Sequence, residues 1–166
     1  AAYEIGFGGH VTLDGEQGNS QKRRWHPGER LVASACDTPI VGWRGKRVNT
    51  LRLWTARAVD PIRLDAFNSG DYAAALGESN KAEIITRVLY PSDSTPAGQE
   101  LRLRQEYFFT AASLQDIIRR HVQQYDEVRS LADKVAIQLN DTHPAVAVAE
   151  LMRILIDQHE LPWDEA

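Results

Sequence analysis

An α/β fold, in which a β meander over about residues 1–58 leads into helices, one core strand at 135–139 and a closing helix, is predicted by three observations. Short runs rich in β-branched and aromatic residues crowd the first sixty positions between turn-forming pairs. The second half instead carries apolar residues at spacings of three and four. Between the last two helical stretches, Val135-Ala136-Ile137-Gln138-Leu139 forms a short apolar run that suits a buried strand.

The strand-like segments are Tyr3 to Phe7, His10 to Leu13, Gln21 to Trp25, Glu29 to Ala35 and Arg47 to Ala58. Gly8-Gly9, Asp14-Gly15, Pro27-Gly28 and Arg44-Gly45-Lys46 separate them with turn chemistry, and such close spacing predicts antiparallel pairing. From Asp60 the pattern changes. Phe67-Asn68-Ser69-Gly70-Asp71 is a loop before a helix at Tyr72 to Leu76, which Gly77 is expected to interrupt. Asn80 followed by Glu83 marks a second short helix through Leu89, stopped by Pro91. After the polar loop Ser92 to Gly98, the positions of Leu103, Tyr107, Ala111, Leu114, Ile118 and Val122 predict a helix from about Gln99 to Gln124 with that face buried. The last helix, Ala145 to Gln158, buries Val148, Leu151, Met152, Leu155 and Ile156, with Thr142 or His143 as N-cap and Pro144 in the first turn.

Composition narrows the function. The chain has 166 residues, 43% hydrophobic content and a net charge of −4, enough for one domain with a core and without the basic stripe that binds nucleic acid. A lone Cys36 excludes an internal disulfide framework, and no apolar run matches a membrane span or signal peptide, so a cytoplasmic protein is expected. The five histidines show no i, i+4 pairing and Cys36 has no thiol partner, so no metal site is expected. The sequence begins in strand-like residues without Met and stops where a new helix is expected to start, which predicts a single partial domain over 1–166, cut from a longer protein.

Chemistry concentrates where the predicted strand ends. Asn140, Asp141 and His143 place an amide, a carboxylate and an imidazole where a strand meets a helix N-terminus, the usual crevice of open α/β sheets. They can bind sugar hydroxyls or handle a proton; alternatively Asp141 or Thr142 only caps the helix. Ser92 to Gly98 is a mobile lid or a plain connector. Arg119-Arg120 is a phosphate-binding fork or a solvated helix end. Gly6-Phe7-Gly8-Gly9 lacks the strand–loop–helix context of a phosphate loop and is a turn or bulge. Trp25, Trp43, Trp54 and Trp163 are core or interface anchors rather than a sugar platform.

Ordered blocks along the chain resemble one family. Asp37-Thr38-Pro39-Ile40, Val48 to Trp54, Phe67 to Tyr72, Val88-Leu89-Tyr90-Pro91, Gly98 to Phe108, Ser113 to Arg120, the 135–144 stretch and Glu150-Leu151-Met152-Arg153 are similar, in order, to the α-glucan phosphorylases. The resemblance implies the second half of the N-terminal domain of a GT-B glycosyltransferase. It implies a cytosolic enzyme that cleaves glycogen, starch or maltodextrin with inorganic phosphate and releases glucose 1-phosphate. Pyridoxal phosphate is its cofactor, held by segments that this sequence lacks, so no cofactor-binding or catalytic residue is expected here and the chain alone should be inactive. By the same resemblance Asn140, Asp141, His143 and Arg102 line the glucan cleft. Asp93 and Ser94 belong to its gate loop, Arg119 and Arg120 to an effector pair of the regulated animal enzymes, and the helix near Tyr72 to a homodimer interface. The alternative is a structural and dimerisation segment with no ligand of its own.

Overall fold

A computed structural model describes residues 1–14 and 22–166; the expected Asp14-Gly15 turn and the start of the third strand at Gln21 fall on or beyond that limit. Five strands precede the main helices: β1 (Ala2–Phe7), β2 (His10–Asp14), β3 (Lys22–His26), β4 (Glu29–Val41) and β5 (Val48–Ala58). The helices are α1 (Leu64–Asn68), α2 (Tyr72–Arg87), α3 (Pro96–Tyr125), α4 (Leu131–Lys134) and α5 (Ala147–Arg153). Two compact units result, one of residues 1–4 with 31–105 and one of 5–30 with 106–166. No helix among the described residues is long and apolar enough to cross a membrane.

In the three-stranded sheet β4 lies between β1 and β5. The expected antiparallel pairing holds for β4 and β5, in register from Leu31 opposite Ala58 to Val41 opposite Val48. Leu31, Ala33, Trp54 and Ala56 share one buried face because strand side chains alternate. Helix α2 packs there, with the Ala56 N–H donating to Thr86 Oγ1 at 3.1 Å. β4 runs six residues past the expected Ala35, since its partner strand continues beside it to Val41.

α2 is one helix, not two. Asp71 caps it by accepting from the Ala74 N–H at 3.0 Å, and Ala75, Ala82 and Ile85 are buried on either side of Gly77. A mid-helix glycine costs only about 1 kcal/mol, which burial on both flanks outweighs.

The second unit holds the β2–β3 hairpin, antiparallel with His10 opposite His26, and a core of Leu114, Ile118, Val128, Leu131, Ala147, Ile154, Leu155 and Leu161. Each fully buried Leu or Ile there contributes about 1.5–3 kcal/mol. The long helix α3 begins at Pro96, three residues before the expected start, because Thr95 caps it: its hydroxyl accepts from the Gly98 N–H at 3.2 Å. Its predicted face is buried or half-buried from Tyr107 to Val122, but Leu103 is 61% exposed. Gln105 takes the inward position instead, donating its amide to the Val88 carbonyl at 2.5 Å. Two residues earlier on a helix is about 200° around the axis, so Leu103 faces out.

Two further expectations are corrected. Residues 135–139 form no strand: Val135 is extended (φ −126°, ψ 130°), but among the described residues no strand pairs with the segment, and a strand needs a ladder. The last helix opens with a 3₁₀ turn (His143–Val146), becomes α over α5 and ends as a π turn (Ile154–Gln158), leaving Val148 68% exposed. Trp54 is a core residue, and Trp43 and Trp163, at 83% and 75% exposed, leave only the interface half of the anchor reading open to them. Gly8 and Gly9 both adopt positive φ in the β1–β2 turn, as the turn reading of Gly6 to Gly9 requires.

Candidate functional site

The corner at 140–143 is built on backbone strain. Asp141 has φ +69°, the left-handed region that costs a non-glycine residue about 1–2 kcal/mol and that Asp tolerates through local hydrogen bonds. Its Oδ1 accepts from the Thr142 N–H at 2.7 Å, and its Oδ2 lies 3.5 Å from His143 Nδ1. Carboxylate and imidazole are therefore brought together, with Asp141 61% and His143 26% exposed at the side chain. Thr142 takes the N-cap position, yet its side chain makes no capping bond, and Pro144 follows in the first turn. The corner is thus not explained as a side-chain helix cap. Asn140 is exposed beside it.

Further along the chain, α5 carries a buried ion pair. Glu150, 3% exposed, accepts two bonds from Arg153, at 2.7 Å from Nε and 2.8 Å from Nη2, and a third at 3.2 Å from the Tyr107 hydroxyl. The Arg153 guanidinium also stacks 5.1 Å from the Trp25 ring centre. Burial opposes the Arg153 charge, but the bonds and charge of Glu150 outweigh it and raise the pKa. Burial and the Glu150 carboxylate together push the Tyr107 hydroxyl above its ordinary range, so it stays a proton donor. Sequence inspection missed this network. The available signal was an acidic residue three positions before an arginine within an otherwise apolar helix.

The loop before α3 lies in the other unit. Asp93 Oδ2 pairs with Arg102 Nη1 at 2.7 Å, and the Ser92 and Ser94 hydroxyls lie 3.0 Å apart. A Cβ on Gly98 would fall 2.0 Å from the Ser92 carbonyl oxygen, so glycine is what lets the loop close onto the helix. Arg119 and Arg120 share one carboxylate, Asp116, at 3.3 and 3.0 Å; that carboxylate is buried while both arginines are largely exposed. The pair therefore presents about one net positive charge rather than two. Asp93, Ser94 and Arg102 lie in the first unit, and Asn140, Asp141, His143, Arg119 and Arg120 in the second.

A pyridoxal phosphate site needs a lysine sheltered enough to lose its proton. Lys46, Lys81 and Lys134 are all exposed, and Lys81 is paired with Glu78 at 2.7 Å. Those three lysines do not fit that cofactor. No group of three metal-binding side chains occurs among the described residues either.

The model of the carbohydrate phosphorylase family matches residues 1–166. Glycogen phosphorylase of Haemophilus influenzae is 48% identical over 164 residues, which are 99% of this chain and 19% of that protein. Glycogen phosphorylase of Pasteurella multocida is 49% identical over 164 residues, with the same coverage. The muscle form of human glycogen phosphorylase is 48% identical over 170 residues, 98% of this chain and 20% of that protein. The chain thus spans about a fifth of the length of these relatives.

Proposed function

Because this chain belongs to the carbohydrate phosphorylase family, we propose that it forms one wall of the glucan cleft of a GT-B glycogen or maltodextrin phosphorylase. The reaction is phosphorolysis of a terminal α-1,4 bond. Phosphate oxygen bonds to the anomeric carbon, the bond to the departing glucan oxygen breaks, and that oxygen gains a proton. Pyridoxal phosphate would be held by residues outside this sequence. The chain's own contribution is binding and orientation of the sugar.

The observation that carries this reading is the strained corner, where Asp141 holds its carboxylate against His143 without serving as an ordinary helix cap. Residues kept in costly backbone conformations cluster at ligand sites. Asn140 adds an amide that both donates and accepts, which suits sugar hydroxyls. In the first unit, taken by itself, Asp93 and Ser94 serve as a gate loop, and the Asp93–Arg102 pair is the catch that holds it. Replacing His143 by Ala in the complete phosphorylase should lower turnover while cofactor content, measured by its absorbance, stays unchanged. Undiminished turnover would remove His143 from the cleft.

A second reading has its own support. Tyr72 and Leu76, on one side of α2, are 59% and 39% exposed, as expected of a helix that meets a second subunit. In this reading the chain serves assembly, and the homodimer forms through that helix. Arg119 and Arg120, half-neutralised by Asp116, make a weak effector site at best.

A further inference from the structure

We propose that His10 and His26 form a two-imidazole site for a borderline divalent transition-metal ion such as zinc, with water completing the coordination. The two residues stand directly opposite each other on β2 and β3. Residues opposite across an antiparallel ladder point to the same face, so both imidazoles share it. Their rings lie nearly parallel, 18° apart, with centres 5.2 Å from each other. Zinc accepts imidazole nitrogen at about 2.0–2.1 Å, so two donors to one ion lie within roughly 4.2 Å. Ring nitrogens sit about 1 Å off the ring centre, so with centres 5.2 Å apart a nitrogen of His10 turned toward His26 Nδ1 falls near that range.

Two neighbours prepare the site. His26 Nε2 is 2.9 Å from Thr12 Oγ1, on the same face two residues along β2. With that nitrogen donating to the hydroxyl, Nδ1 carries the lone pair for the metal, the arrangement by which outer partners orient metal-binding histidines. Gly9, at φ +85°, would place a Cβ 1.9 Å from the His26 carbonyl oxygen, so the two strands close tightly beside the pair. His10 is exposed and His26 half-buried, which leaves solvent access for the ion. No third His, Cys, Asp or Glu joins them among the described residues, so water must supply the remaining ligands. The inference does not depend on the phosphorolysis reading.

The test is titration of the chain with zinc ions, followed by calorimetry and by the imidazole C–H signals in NMR. The expected result is one ion per chain, with the signals of His10 and His26 moving together ahead of those of His121, His143 and His159. His10→Ala and His26→Gln should each weaken binding at least ten-fold. Movement of the other histidines first, or unchanged affinity in both variants, overturns the proposal. Should either variant fail to fold, the order of signal movement in the unaltered chain decides alone.

Discussion

Asp141 and Gly98 show opposite ways in which one residue answers a tight backbone. Asp141 accepts a left-handed conformation because its short carboxylate bonds the next N–H at 2.7 Å. Asp141→Asn should therefore change stability by less than about 0.5 kcal/mol, since its amide oxygen makes the same bond, whereas Asp141→Ala should lose about 1–2 kcal/mol in urea unfolding. Gly98 answers by having no side chain, with a carbonyl oxygen where a Cβ would sit. Gly98→Ala should destabilise by about 1–3 kcal/mol. Gly77, with nothing within 4 Å of its would-be Cβ, is the control: Gly77→Ala should stabilise α2 by roughly 0.5–1 kcal/mol. Both glycines are plain in the sequence, but the difference between them is not. It depends on which carbonyl folds back over the helix, a contact six residues away in one case and absent in the other.

At the level of elements, α5 is tied to α3 by apolar packing and by the hydrogen bond from the Tyr107 hydroxyl to Glu150, whose carboxylate is held by Arg153 within α5. Removing Arg153 strands the buried Glu150 carboxylate, so Arg153→Ala should cost about 3–5 kcal/mol, while Tyr107→Phe should cost about 1 kcal/mol. The Tyr107 pKa is raised in the folded chain. The folded state therefore holds that proton more tightly than the unfolded one, and the benefit is complete below about pH 10, the ordinary tyrosine value, and lost as pH rises through the folded value. Thermal unfolding above about pH 10 should accordingly fall less steeply in Tyr107→Phe than in the unaltered protein. The periodic face of α3 was legible from Tyr107 onward because one core covers it. Leu103 was not, since the inward position there belongs to a glutamine bonded to a carbonyl on another segment. The strand expected at 135–139 failed for a related reason: extended propensity is local, but a ladder is a property of two segments.

For the molecule as a whole, the early strands and late helices follow from the switch in hydrophobic period near Asp60, and the ordered motifs carry the family. Asn140, Asp141 and His143, the residues of the proposed site, stood out as polar groups after an apolar run, whereas the Tyr107–Glu150–Arg153 network became visible only when α5 and α3 met. On the cleft reading, this chain alone should release no glucose 1-phosphate from maltooligosaccharide and phosphate, because that reading puts the cofactor on residues outside this sequence. Release at a measurable rate, assayed by a coupled enzyme, would contradict it. Residues 136–140 are exposed, and no backbone donor among them is bonded within the described structure. That stretch is consequently a deuterium clock set just before Asp141. Its amides should exchange within seconds in the chain as it stands, and should slow by orders of magnitude once another strand lies down beside them.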